Sequence, residues 1–582
     1  MVPRLGSTLG GKMAIQAPVP TAVQKLDELI SRVKNGSRAF VRLSIRDRIH
    51  LLDEMREGYR AVAEQSVAAA CQAKGIDSSS QVAGEEWLAG PVIVLRNLRL
   101  MQEALKDISR DGVPRIERSW IRTLPDGRLA VQVYPSSALD ATLLAKHTAE
   151  AYLEPGITQA NLRDHQASFY RGAHEGKLCV VLGAGNVNSI PPTDVAYKMF
   201  VEGKVCILKM NPVNAYVGPF LERAFRTAID GGFFAVVYGG VEEGEYLISH
   251  PLVDEVHITG SDRTHDVMVW GPPGPDREAR KRRNEPLLKK QITSELGNIT
   301  PIIVMPGRYE QDELRFQSAN IAGMVANNGS FNCNAAKLLV TPSGWEGRQR
   351  LIDSIEESLA KASPRKAYYP GADQRWRKFT EGRKGLRLIG KAKPGELPYA
   401  LITDVDPMRA EDPVFHEEPW CAVLSETALR GADPVSFLES AVRFTNENVW
   451  GTLCATIIVH PKSLKDPAVQ RAVEKAIDDL RYGTVALNTW TAAVFAFGTA
   501  PWGAYPGSSL QDIQSARGWV HNSFMLEGIQ KCVLRAPLKS FPISPWFPGH
   551  RTLLQVARRL VDFEMDPSWL KVPGIASAAI RG

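Results

Sequence analysis

Residues 177–187, KLCVVLGAGNV, followed by PTDVAYKMFVEGK (192–204) and VCILKMNP (205–212), decide the fold. The first is an apolar strand ending in glycines, the second a helix, and the third another strand. The alternation continues outward. GPFLERAFRTAIDGG (218–232) reads as a helix, FFAVVYGG (233–240) as a strand, EEGEYLISH (242–250) as a helix and VDEVHITGS (253–261) as a strand. Strand and helix in turn imply a parallel sheet with crossover helices. The Gly, Asn and Ser residues fall at the strand ends, where open α/β sheets bind ligands, so a dinucleotide-binding unit is expected. No GxGxxG is present, and GAGNVN alone is a weak signal.

Upstream, residues 21–110 carry helical patterning. Ser44 is placed to cap a long amphipathic run that Gly75 stops. SWIRTLPDGRLAVQVYP (119–135) reads as a hairpin around Pro-Asp-Gly. Residues 271–290 hold seven basic and three acidic residues behind a Gly/Pro opening and read as a solvated loop; the sharper reading is a basic patch for an anionic partner. A second α/β stretch runs from about 299 to 500, and an amphipathic helix is expected near 551–563.

Composition narrows the function. The 582 residues are 44% hydrophobic and 23% charged, which excludes collagen-like, disordered and coiled-coil chains. Lys+Arg is 70 against Asp+Glu 64, and a net charge of +6 is too thin for nucleic acid as the main partner. Seven scattered cysteines with no CxxC pair suggest neither a metal site nor a disulfide framework, and suit a reducing, cytoplasmic setting. The N-terminus lacks an apolar signal core and reads as a leader, with the natural start at or near Met13. The longest uncharged run, 490–510, is broken by Gly and Pro and reads as a buried loop, so no membrane span is expected.

Three segments carry the chemistry: GAGNVNSIPPTDVAYKMFVEGKVCILKMNP (183–212), ITGSD with ELGNITPIIV (258–262 and 295–304), and NNGSFNCNAAKLLV (327–340). With EEPWCAV (417–423) and GTVALNTWT (483–491), they resemble the aldehyde dehydrogenase superfamily in order and separation, over roughly residues 40–525. The resemblance implies a Rossmann-type nucleotide domain (21–298, with the hairpin near 118–136) and an α/β catalytic domain (299–500). It also implies a return and oligomerisation segment with a C-terminal extension (501–582), behind a leader or disordered stretch (1–20). A homodimer or homotetramer is expected on the same ground.

Read as residues, a Cys in this context is more often a small buried hydrophobe. Polar neighbours and a following strand instead put Cys333 on a loop or helix start, where a thiol pKa can fall and the thiolate can attack. The family's nucleophile occupies this motif. Cys333 lies four residues after Gly329, one more than usual. The resemblance makes Glu295 the base that activates water on a thioester, although Asn298 stands where the family has a second Gly. It makes Asn186 the donor to the developing oxyanion, with Ala184-Gly185 in place of Pro-Trp. Lys209 follows at the family's spacing and is expected on the adenosine ribose. Gly260 and Ser261 match the glycine-serine near the pyrophosphate, with His265 replacing a second glycine. Glu418, followed by Trp420 for the usual Phe, matches the carboxylate on the nicotinamide ribose.

The cofactor implied is NAD or NADP. Pro212 stands where NAD-preferring relatives often carry an acidic residue, which tilts the reading towards NADP. The expected reaction is oxidation of a small-molecule aldehyde to a carboxylic acid through a Cys333 thiohemiacetal and thioester. Transfer of the acyl group to coenzyme A is the close rival. A catalytically degraded binding or structural protein is the reading from another class.

Overall fold

The computed structural model describes residues 18–582. The leader and the start near Met13 lie outside the described residues. Four helices open the chain: α1 (Val23–Val41), α2 (Ile45–Lys74), α3 (Ala83–Trp87) and α4 (Ile93–Asp111). Ser44 Oγ accepts the Asp47 N–H at 3.1 Å, and Gly75, at φ +67°, closes α2 in the left-handed region that glycine enters without strain. The punctuation read from the sequence is the punctuation of the helix.

The alternating stretch forms a six-stranded sheet. Its order is Ala516–Arg517, Gln291–Glu295, Glu255–Thr259, Leu178–Leu182, Val205–Lys209 and Phe234–Val237, parallel except for the first strand. Strand order reverses at Leu178–Leu182, so the loops after it and after Glu255–Thr259 flank a switch-point crevice. The expected helix over 218–232 is broken in two, Gly218–Ala224 and Arg226–Asp230, at Phe225 with ψ +28°.

The second sheet has eleven strands. Thr300–Val304, Ala336–Pro342, Val423–Leu429 and Cys454–Ile458 form its parallel middle. The hairpin is present as β1 (Ile121–Thr123) and β2 (Leu129–Tyr134), with Gly127 at φ +90° in its turn. β3 (Thr148–Leu153) and the strand Ile529–Arg535 join it to Thr484–Leu487 of the same chain.

Two loop readings are corrected. Residues Pro275–Arg283 are a helix, with proline in its first turn, Asp276 and Glu278 at its start and four basic residues at its end, each favoured by the helix dipole. Its cations are largely engaged locally: Lys281 with Asp266 at 2.5 Å, Arg277 with the Gly271 carbonyl at 2.9 Å and Arg283 with Glu285 at 2.8 Å. That leaves little for an anionic partner. Within 490–510 the apolar run Ala492–Phe497 is also helical, and buried Trp502 sits on a short strand, Pro501–Gly503. No helix among the described residues is long and apolar enough to cross a membrane.

The C-terminal extension ends in helices Leu553–Met565 and Val572–Ile580. Glu564, 2% exposed, bonds Arg96 at 3.0 Å and Arg99 at 2.6 Å on α4. Removing a carboxylate from between buried guanidiniums strands their charge. Glu564→Leu is therefore expected to cost about 3–5 kcal/mol, read as a lower denaturation midpoint. An unchanged midpoint would show the extension to be loosely attached.

Candidate active site

The loop that carries Cys333 runs between helix Gln311–Ala326 and strand Ala336–Pro342. Asn328, Gly329 and Ser330 stand in succession at φ +52°, +63° and +70°. The Asn-Asn-Gly-Ser composition suits this left-handed path, and the extra residue before Cys333 is accommodated within it. Four bonds then fix the turn at Cys333. Lys337 Nζ donates to the Asn332 and Ala335 carbonyls at 2.8 and 3.0 Å. Thr300 Oγ1 donates to the Cys333 carbonyl at 3.1 Å, and Trp490 Nε1 to that of Asn334 at 2.7 Å. Trp490 is in turn packed edge-on against Trp546 of the C-terminal extension, with ring centres 5.8 Å apart.

Cys333, half-buried, donates its thiol proton to Glu295 Oε1 at 3.2 Å. The expectation of a lowered thiol pKa is overturned: burial, and then the Glu295 carboxylate, push it well above the ordinary cysteine value. The same contact explains Glu295. Burial first, and then the charge of Asp194, raise its carboxyl to about 7, against donors on Trp502 and Cys333. Its Oε2 has no hydrogen-bond partner among the described residues. A half-neutral carboxyl beside a thiol can take the sulfur proton as a bond forms and later hold a water.

Asp194, 1% exposed on helix Ile190–Phe200, was not legible in the sequence as a site residue. It accepts from Thr259 Oγ1 at 2.8 Å and lies 3.5 Å from His257 Nε2, while Thr259 is the strand neighbour of Glu295. Asp194→Asn removes a negative charge that opposes ionisation of Glu295. Activity limited by Glu295 as base should rise with pH through about 7 in the wild type, and this limb should move to lower pH in the variant. A pH profile of kcat/KM checks it; an unmoved limb would remove Asp194 from the account.

Asn186 follows strand Leu178–Leu182 and is 4% exposed. Its Nδ2 donates to the Phe331 carbonyl at 2.9 Å, which ties it to the Cys333 loop with one N–H and leaves the other. A Cβ at Gly185 would lie 2.7 Å from Asn211 Cγ, so a side chain larger than glycine's has no room there. Asn298 is structural: its Nδ2 donates to the Cys454 carbonyl at 2.9 Å, tying the loop after Glu295 to strand Cys454–Ile458.

Lys209, 8% exposed, ends its strand with no hydrogen bond or ion pair to its ammonium among the described residues. Burial lowers its pKa, and the nearby Glu243 opposes that. Glu243 thus puts an acidic group beside Lys209 although Pro212 does not. Gly260 and Ser261 are exposed where strand Glu255–Thr259 meets helix Asp262–Trp270, with Ser261 capping the helix by accepting the Thr264 N–H at 3.1 Å. His265 is wholly buried inside that helix, away from the surface that the two residues present.

Glu418 is brought to the site but engaged there. It pairs with Lys337 at 3.1 Å, and burial raises it to about 7 against that cation. Trp420 holds a left-handed φ of +46° and packs edge-on to Tyr369. The signal for Lys337 was present, since a lysine opening the apolar run KLLV needs buried acceptors.

An open, largely parallel sheet with loops flanking its switch point, joined to a second sheet with a parallel middle that presents a cysteine beside a carboxyl, is a fold shared with solved aldehyde dehydrogenases. The NADP complex of NADP-dependent glyceraldehyde-3-phosphate dehydrogenase from Bacillus halodurans matches with a TM-score of 0.58 and 17% identity, over 89% of this chain and 92% of that one. An NAD-dependent aldehyde dehydrogenase from Sinorhizobium meliloti matches with a TM-score of 0.58 and 18% identity, over 91% and 89%. In sequence, 4-trimethylaminobutyraldehyde dehydrogenase A of Danio rerio is 28% identical over 170 residues, or 28% of this chain and 29% of that protein. The human 4-trimethylaminobutyraldehyde dehydrogenase is 24% identical over 193 residues, 32% and 34% of the two chains. The sequence matches thus span about a third of those curated relatives. No family model matches the chain.

Proposed function

We propose that this chain oxidises an aldehyde to a carboxylic acid with NAD or NADP, through a thioester on Cys333. The observation that carries the reading is the 3.2 Å contact from Cys333 Sγ to Glu295 Oε1, with the Asn186 amide anchored on the same loop. A buried lysine without a partner and an open helix start fit a dinucleotide's hydroxyls and phosphates. Lys209 and the Gly260–Ser261 turn would hold it, with Glu418 at its nicotinamide end. Residues 21–298 supply Lys209 and the Gly260–Ser261 turn for the nucleotide together with Asn186 and Glu295 for the chemistry, and residues 299–500 supply Cys333 and Glu418.

In this mechanism Cys333 adds to the carbonyl carbon while its proton passes to Glu295 Oε1. That removes the need for a standing thiolate, which the raised thiol pKa disfavours. The oxyanion is met by the second Asn186 N–H and the Cys333 main-chain N–H, and one such donor is worth roughly 3–4 kcal/mol. A nicotinamide nucleotide held by Lys209, the Gly260–Ser261 turn and Glu418 would supply the hydride acceptor, and loss of hydride from the adduct carbon leaves an acyl thioester on Cys333. Glu295 then passes that proton to solvent, draws one from a water and directs the resulting hydroxide to the thioester carbonyl; collapse of the adduct breaks the carbon–sulfur bond, releases the carboxylic acid and returns the proton from Glu295 to the Cys333 sulfur.

The test is reduction of NAD and of NADP, followed by near-ultraviolet absorbance over aliphatic, aromatic and quaternary-ammonium aldehydes, with and without coenzyme A. Turnover without coenzyme A is expected. Turnover only with it would replace hydrolysis by acyl transfer, and silence in every arm would refute the activity.

A further inference from the structure

Beneath the nucleophile loop lies a buried cation that the mechanism leaves unused. Lys74, the last residue of α2, is 6% exposed, and Glu86 on α3 is 5% exposed. The ammonium donates to Glu86 Oε1 and Oε2 at 2.8 and 3.0 Å, to the Asn186 carbonyl at 3.1 Å and to Asn328 Oδ1 at 3.0 Å. One charge therefore grips the main chain of the oxyanion donor and a side chain of the cysteine loop. Tyr368 closes the same bridge, its hydroxyl 3.2 Å from the Asn186 carbonyl and 3.0 Å from Asn328 Oδ1. Asn328 Nδ2 returns a bond to the Asn186 carbonyl at 3.2 Å, and its backbone N–H donates to Glu85 Oε2 at 3.0 Å.

The residue so held is the first of the three in left-handed conformation. Such a path persists only where its surroundings over-determine it, and here those surroundings converge on Lys74. Desolvating an ammonium and a carboxylate is costly, and an apolar pair would fill the space as well, so stability alone does not account for the ion pair. A compact ammonium with several donors does suit four oxygens on three separate segments.

We propose that Lys74, charge-balanced by Glu86, is a positioning residue that sets Asn186 and the Cys333 loop in one register. This rests on the function proposed above. It also gives the C-terminal extension a role. A Cβ at Gly84 of α3 would lie 2.6 Å from Leu553 Cγ, so the extension's helix is pressed onto the short element that carries Glu85 and Glu86.

The experiment compares wild type, Lys74→Met and Lys74→Met/Glu86→Leu in the full chain. The readouts are Tm, kcat and KM, and the pH dependence of Cys333 alkylation by iodoacetamide, followed by peptide mass spectrometry. The single variant strands Glu86 and is expected to lower Tm and kcat together. The double variant removes both charges and should recover Tm, yet keep kcat about 100-fold down with KM little changed, the size of effect a small misplacement produces. Its alkylation midpoint should fall, because a slackened loop takes Cys333 away from the Glu295 carboxylate. A double variant with wild-type kcat and an unmoved alkylation profile overturns the proposal, as does a kcat loss fully matched by loss of folded protein. If wild type oxidises no aldehyde, the function above fails while the alkylation arm still decides on Lys74.

Discussion

Cys333→Ala is expected to abolish aldehyde-dependent reduction of the nucleotide, by about 10⁴-fold or more, while leaving nucleotide binding and Tm near their wild-type values. The size follows from the chemistry: without sulfur no covalent adduct forms, and positioning alone leaves only a small residue of catalysis. The selectivity follows from the structure. Cys333 is half-buried in a turn held by main-chain carbonyl bonds from Lys337, Thr300 and Trp490, so deleting its thiol costs one hydrogen bond, to Glu295, and only the partial packing of a small side chain. Stopped-flow absorbance with saturating aldehyde checks the first part, and nucleotide fluorescence titration the second. Turnover above about one hundredth of wild type would sink the thioester route, whatever the fold.

What was legible beforehand is local. The Ser44 cap, the Gly75 stop and the Pro-Asp-Gly hairpin are short-range signals, and each appears where it was read. The strand–helix alternation of 177–261 fixes a parallel sheet because a period of residues is preserved in a period of elements. Cys333, Glu295 and Asn186 were reachable through motif order, and the structure brings all three together. The misses are of two kinds. The helix Pro275–Arg283 was legible in its capping charges but was read by its Gly/Pro opening alone. Lys74, Glu86 and Asp194 were not legible as site residues, since each acts through neighbours far away in the chain, whereas Lys337 was signalled only by its place at the head of an apolar run. The thiol pKa also went the wrong way. Loop position suggests exposure, whereas the thiol is desolvated by burial first and then faces a carboxyl 38 residues upstream at 3.2 Å, and both push its pKa up.

That carboxyl supports the second large effect. Glu295→Gln is expected to lower steady-state turnover by about 10²–10⁴-fold, with a burst of reduced nucleotide, one equivalent per Cys333, surviving ahead of it. The two phases respond differently because Glu295 serves both. In acylation its loss is partly offset: the carboxylate that holds the thiol pKa up is gone, so more thiolate stands at a given pH and sulfur attack needs less help. In deacylation nothing offsets it, since the other carboxyl whose charge acts on the Cys333 thiol, Glu418, is engaged by Lys337. The acyl-enzyme should therefore accumulate and be seen by intact-protein mass as an adduct on Cys333. The alkylation midpoint of Cys333 in the resting variant should also move to lower pH, an outcome that does not depend on any substrate being right. Added coenzyme A separates the two acyl acceptors: a thiol needs little base to attack a thioester, so restored turnover would show the acyl group to be open to thiols. Unaltered steady-state turnover in Glu295→Gln would mean that another group activates the water, and the 3.2 Å contact would then be a feature of the resting site alone.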